Sequence, residues 1–201
     1  MCSKSIITGL LLMFAGNLGA DEARTNSPVW ELMLHREAVP TIKPTFRAYL
    51  IAEQHKFAFF VPSELSAMND AGKIKFLNAE GNCVMTLSVI GPVPEGGELN
   101  TAACQERLLA EHTNAIVIGQ VYRTAAGRHG PGIDLEWSIG GRILVCQRTV
   151  YIPSSVGVLE FTATTTRANF PALRASLDSV LATFRADKDG KLETVHLSPN
   201  S

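Results

Sequence analysis

The sequence predicts an α+β fold in which an antiparallel β-sheet carries packed helices. Three observations predict it. Ile133, Leu135, Trp137 and Ile139 alternate strictly with Asp134, Glu136 and Ser138 until Gly140-Gly141 breaks the run, which is the pattern of a half-buried strand entering a turn. Further alternating runs follow one another with only short turns between them, as in a meander. Near the end, Leu173, Leu177, Val180, Leu181 and Phe184 recur at i, i+4, i+7, i+8 and i+11, which is one face of a helix. The chain has 201 residues, is 46% hydrophobic and 18% charged, and has a formal net charge of −1. That balance excludes a disordered chain and gives no support to a polyanion binder. One domain of this length buries most of its unfolded apolar surface, so disulfides are optional.

The first residues read as an address. Lys4 precedes an apolar run over residues 6–15, and Leu18-Gly19-Ala20 ends in small residues before Asp21. This is the order of a positive n-region, an h-region and a cleavage site. The run is shorter than the roughly 20 apolar residues a membrane span needs, so the mature chain is expected to have no transmembrane anchor. Cys2 lies before the run and leaves with the leader. Removing residues 1–20 takes away one lysine and no acid, leaving a net charge of −2. Cys83, Cys104 and Cys146 remain, all within apolar patterns, and read as small buried hydrophobes, although one of three possible pairs could form in an oxidising compartment.

The elements follow in order. Pro28, Pro40 and Pro44 prevent a long helix over residues 21–54, which reads as an extended lead with one helical turn around residues 30–36. Residues 56–62 form a strand closed by Pro62. Residues 73–79 and 83–90 form a hairpin around Glu80-Gly81-Asn82, with Cys83, Met85, Leu87 and Val89 on one face and Thr86 and Ser88 on the other. The Gly/Pro-rich stretch 91–97 is a loop. Thr101 caps a helix running to about residue 114, with Cys104 and Leu108 on its apolar side. Residues 117–124 form a strand, and residues 125–132, with Gly127, Gly130, Pro131 and Gly132, a loop.

A tight Gly140-Gly141 turn sets Trp137 opposite Leu144 and Leu135 opposite Cys146. A turn at Ser154-Ser155 sets Val150 against Leu159 and Arg148 against Phe161. Asn169 caps the last helix and Pro171 opens it. The sequence thus divides into a leader (1–20), a lead segment (21–54), one domain (55–186) and a polar, mobile tail (187–201).

This order of elements resembles the PsbP-like superfamily. The resemblance rests on Phe57-Ala58-Phe59-Phe60-Val61-Pro62, on Val150-Tyr151-Ile152 with Leu159-Glu160-Phe161-Thr162-Ala163, and on residues 173–186 with Leu181-Ala182-Thr183-Phe184. It covers about residues 56–186. Ser63-Glu64-Leu65 stands where that superfamily often has a tryptophan. The resemblance implies an α/β/α sandwich around an antiparallel sheet and a mainly non-enzymatic, partner-binding role, without implying a photosystem function.

The chain has no G-x-S-x-G run to seat a nucleophilic serine, and Ser138 and Ser155 read as strand and turn residues. Gly96-Gly97 lacks the other glycines and the lysine of a phosphate loop. Asp187-Lys188-Asp189-Gly190 would put Arg185 and His196 where a calcium loop needs carboxylates. His35, His55, His112, His129 and His196 have no metal-ligand spacing, so neither a metal nor another cofactor is expected.

Two features remain as candidate sites. Asp134, Glu136 and Glu160 are expected on one solvated sheet face, spread too widely, about 10 Å or more, to share a metal. Arg128 and His129 in the glycine-rich 125–132 loop are the candidate binding residues, presenting a cation to an anionic partner. The function read from all this is an exported, non-catalytic binding or accessory protein of the cell envelope, periplasmic or extracellular, with a protein or small-molecule partner. The alternative is a hydrolase or transferase whose active-site residues are dispersed. Nucleic acid is not expected, because the chain has no basic stripe.

Overall fold

In a computed structural model of the protein, residues 30–37, 45–52 and 55–187 are described. The leader with Cys2, most of the polar tail, and parts of the lead segment lie outside the described residues. Among the described residues, two antiparallel sheets and two helices make up the fold. The smaller sheet has strands β1 (Glu31–Glu37), β2 (Thr45–Ala52), β3 (His55–Val61) and β11 (Arg185–Ala186), in the order β1-β2-β3-β11. The larger sheet has β4 (Ser66–Asp70), β5 (Lys73–Leu77), β6 (Cys83–Val89), β7 (Ile116–Ala125), β8 (Arg128–Ile139), β9 (Ile143–Ser154) and β10 (Gly157–Thr166). Its order is β4-β5-β6-β10-β9-β8-β7. Helix α1 spans Thr101–Glu111 and helix α2 spans Phe170–Thr183.

Alternation along each strand gives the larger sheet two different faces. Ile74, Phe76, Met85, Leu87, Val150, Ile152, Leu159 and Phe161 line one face and share a core with the smaller sheet and α2. Phe184 ends α2 in the middle of that core, with ring centroids 5.4 Å from Phe57, 5.7 Å from Phe59 and 5.2 Å from Phe161. The expected docking of the amphipathic C-terminal helix is therefore observed. Asn169 occupies the N-cap position without a side-chain cap, and the proline follows it as expected. On the opposite face a smaller apolar cluster of Ile133, Leu135, Trp137, Val145, Tyr151 and Val158 receives Leu108 of α1.

Several expectations change. The single sheet is two. The helical turn expected around residues 30–36 is strand β1, and the lead segment supplies β1 and β2, with Trp30, Ala48 and Leu50 buried in the main core. Strand β4, separated from Pro62 by three residues, was not anticipated.

Asn100, not Thr101, caps α1, its side-chain oxygen accepting from the Ala102 and Ala103 amides. The expected 125–132 loop is only the two-residue turn Ala126-Gly127, with φ of 50° and 71°, which suits a hairpin turn with both central residues left-handed. Its other glycines belong to β8 and serve close packing. A Cβ on Gly130 would lie 1.6 Å from the Tyr151 carbonyl oxygen.

Register differs in two places. Gly140, Gly141 and Arg142 together connect β8 to β9, so Trp137 faces Val145 and Leu135 faces Gln147. The β9–β10 turn is Ser155-Val156, so Arg148 faces Ala163 and Val150 faces Phe161. The first change is by one residue, and it reverses which faces of β8 and β9 coincide.

Candidate functional site on the helix α1 side of the sheet

That reversal separates the three carboxylates expected on one face. Asp134 and Glu136 lie on the α2 side, whereas Glu160 shares the α1 side with Trp137. The solvated acidic face is thus corrected. Asp134 is 5% exposed and Arg148 1% exposed, the two joined by paired bonds from Arg148 Nε to Asp134 Oδ1 (2.6 Å) and Nη2 to Oδ2 (2.7 Å). Asp178 of α2 lies 3.5 Å from Arg148 Nη1 and accepts from Arg123 Nε and Nη2 at 2.8 and 3.1 Å. These charges tie α2 to β7, β8 and β9. Burial of such a pair is justified by its bidentate geometry. Glu136 accepts from Arg167 at 3.4 Å and from the Cys146 thiol at 3.5 Å.

The α1 side is different in kind. Leu108 anchors α1 on the apolar cluster, while the contacts Gln120–Gln105 (2.6 Å) and Thr101–Tyr122 (3.0 Å) hold one flank of the helix over β7. From the other flank Arg107 reaches over β9 and β10. Its Nη2 donates to Glu160 Oε2 at 2.9 Å, its Nε to Glu111 Oε1 at 3.1 Å, and its guanidinium carbon stands 6.0 Å from the Tyr151 ring centroid. Just past the helix, His112 stacks on Trp137 with centroids 4.3 Å apart and planes 15° apart.

Beyond the apolar cluster the sheet face is polar. Thr164 Oγ1 donates to Gln147 Oε1 (3.1 Å), Gln147 Nε2 donates to Thr149 Oγ1 (3.0 Å), and Thr149 and Thr162 hydroxyls meet at 3.3 Å. Thr86 and Ser88 extend this face on β6, opposite Thr162 and Glu160. The Tyr151 hydroxyl is buried without a hydrogen bond of ordinary length, although it is near enough to Glu160 to favour that carboxylate's charged form. A buried hydroxyl of this kind is a standing request for a ligand or water partner.

Titration in this region follows burial. Burial raises the Glu160 carboxyl, with Arg107 opposing it, and burial raises the Tyr151 phenol, assisted by Glu160. Burial lowers His112. The Cys83, Cys104 and Cys146 thiols are all pushed up, the last to about 11 by burial and by Glu136. All three are free thiols, and a raised pKa makes each a poor nucleophile. The region therefore offers neutral donors and acceptors, one Arg–Glu pair and stacked rings, which is chemistry suited to holding a polar group.

Arg128 and His129 are both exposed at the start of β8, beside the β7–β8 turn, and His129 Nδ1 is 2.7 Å from Thr124 Oγ1. They are not brought to the α1 site's floor, since they sit at the hairpin end of the sheet's edge pair. Ser155, read as a turn residue, does lie in a turn, and its hydroxyl is 2.9 Å from His55 Nδ1, a contact that a separation of 100 residues hid. Sequence reading missed Arg107, His112, Gln147, Thr149, Tyr151 and Thr162. The legible signal was the polar run Glu160, Thr162, Thr164 alternating with Phe161 and Ala163.

Among the described residues no helix is long and apolar enough to cross a membrane, and no group of three or more His, Cys, Asp or Glu side chains could hold a metal ion. No protein-family model matches the chain, and no curated protein matches it in sequence. Solved structures resemble it, two of them as follows. The solution structure of cyanobacterial PsbP from Synechocystis is 13% identical, with a TM-score of 0.47 over 85% of this chain and 99% of that one. The crystal structure of a Pseudomonas aeruginosa protein of unknown function is 15% identical, with a TM-score of 0.36 over 73% of this chain and 94% of that one.

Proposed function

We propose that the chain is an exported, non-catalytic binding or accessory protein of the cell envelope, with a leader over residues 1–20, a domain layered α/β/α, and a partner held on the α1 side of the larger sheet. Export rests on the leader's order of charge, apolar run and small residues. The observation that carries binding is the polar floor of Gln147, Thr149, Thr162 and Thr164 running up to the unpaired, buried Tyr151 hydroxyl under Arg107. Arg128 and His129 enter the proposal as an outer contact for an anionic part of the partner.

The test is retention of a component of envelope extract by the immobilised chain. A component held by the wild type, lost on combining Arg107→Ala with Thr162→Val, and unaffected by an exposed substitution such as Leu144→Ser supports the reading. Retention of nothing above an albumin-coated matrix, or equal retention by the double variant, overturns it at this site.

One observation favours the enzyme alternative, the Ser155–His55 contact. A hydrolase using it would be labelled at Ser155 by a fluorophosphonate probe, and the label would vanish in Ser155→Ala. The binding reading expects no labelling.

A further inference from the structure

We propose that, on the binding reading above, helix α1 is a hinged cover, detaching from the larger sheet while the rest of the domain stays folded and so opening the Tyr151 floor to a partner. The two helices are held very differently. α2 buries Phe170, Leu173, Leu177, Val180 and Leu181, whereas α1 buries only Leu108 of its eleven residues, with Cys104 and Leu109 partly buried beside it. Apolar burial is the main force holding a helix on a sheet, so α1 is the more weakly attached.

The other ties of α1 are mostly polar and lie on its exposed rim. They are the Thr101–Tyr122 and Gln105–Gln120 contacts and the Arg107–Glu160 ion pair. Contacts of this kind exchange for water at little net cost. On the outward side Ala102, Ala103, Glu106, Ala110 and Glu111 are exposed. Eleven residues are also too few for a stable isolated helix in water, so α1 off the sheet loses its own hydrogen bonds in one step.

Both ends of α1 can absorb such a movement. Before it, Gly96 and Gly97 have φ of 90° and 76°, and a Cβ on either would meet nothing within 4 Å, so packing does not fix the chain there. After it, Asn114 has φ of 63°. A few residues of this kind suffice to take up the change in backbone angles at a hinge. The movement has firm limits, because Gly91 accepts from the Val158 amide at 2.8 Å on one side and β7 is paired with β8 on the other.

What the cover hides is Tyr151. It is fully buried in the same cluster as Leu108, with the Arg107 guanidinium carbon 6.0 Å from its ring centroid, and its hydroxyl has no hydrogen bond of ordinary length. Opening gives that hydroxyl a partner from water or ligand, which offsets part of the cost of detaching α1. Burial also raises the phenol's pKa, so the closed form withholds the phenolate that a nitrating reagent attacks.

Amide hydrogen exchange of the chain alone, followed residue by residue by NMR, tests the cover, and nitration of Tyr151 by tetranitromethane reads the floor. The amides of residues 105–111 are expected to share one opening rate that low urea does not change. Their protection should be at least about a hundredfold below that of β9 and α2, which exchange through urea-dependent global unfolding. Tyr151 nitration should follow the same opening. Leu108→Ala should speed both readouts at least about tenfold. Arg107→Ala, which leaves Glu160 covered without its partner, must speed both as well and serves should the leucine variant fail to fold. Leu173→Ala, on the other face of the sheet, should speed exchange in β9 and leave α1 exchange and Tyr151 nitration unchanged. Protection of α1 equal to that of β9 overturns the proposal, as does exchange graded inward from the helix ends, which is fraying. Nitration of Tyr151 no faster in either α1 variant overturns it too. No partner enters these measurements, so failure of the cover and failure of the binding site are read separately.

Discussion

Arg148 shows how a residue's role is set by what stands beside it. The guanidinium is buried among apolar strands and held by paired hydrogen bonds to Asp134, so neither member is balanced without the other. Removing one partner of such a pair costs about 3–5 kcal/mol, whereas replacing both with apolar residues of similar volume is often neutral. Asp134→Ala is accordingly expected to lower the urea unfolding free energy by that amount, and the double variant Asp134→Leu, Arg148→Met to recover most of it.

Glu160 makes a prediction of opposite sign with pH. Burial raises its pKa, so its contribution to stability is full below the ordinary carboxyl range and is lost as pH rises through the raised value. Glu160→Gln has no such loss. The difference in urea midpoint between the variant and the wild type should therefore move in the variant's favour from pH 5 to pH 7. His112, lowered by burial, destabilises both proteins equally on acidification and drops out of that difference. Neither Arg148 nor Glu160 could be placed from the sequence, because Arg148 faces Asp134 only through the β8–β9 register, which depends on whether two or three residues form the turn, and Glu160 meets Arg107 only through the packing of α1 on the sheet.

Among the elements, α2 is the one whose role the sequence carried almost complete. Its five apolar positions have the period of a helix, and four of them, Leu173, Leu177, Val180 and Leu181, are buried within it, while Phe184 is buried just past its end. Phe184→Ala should cost about 3–5 kcal/mol, read as a lowered unfolding midpoint with little change in its denaturant slope. Helix α1 was equally legible in position, since its N-cap moved by one residue only, but not in consequence. Its polar flank acquires meaning only from the sheet beneath it. The 125–132 segment failed for a local reason: glycines signal conformational freedom in sequence, yet Gly130 is present because the Tyr151 carbonyl leaves no room for a Cβ.

For the molecule as a whole, the smaller sheet changes what counts as the domain. Trp30, with its ring centroid 5.8 Å from Phe57, belongs to the same core as Phe184 although 154 residues separate them in sequence. Trp30→Ala is expected to destabilise the entire unit by about 3–5 kcal/mol and to leave a single unfolding transition, detected identically by far-ultraviolet circular dichroism and by the fluorescence of Trp137. Two transitions would mean that β1 and β2 are an appendage.

The sequence by itself determined an α+β fold, the strands from β5 to β10, both helices and the apolar face that α2 covers, because alternation and helical spacing are local consequences of backbone geometry. Only the tertiary structure decided that there are two sheets, that the lead segment is part of the core, that Asp134 meets Arg148, and that Arg107, Tyr151 and Glu160 converge beneath α1. Those outcomes depend on pairing between distant segments, where a one-residue difference in a turn exchanges the faces of a strand and no nearby residue records the choice.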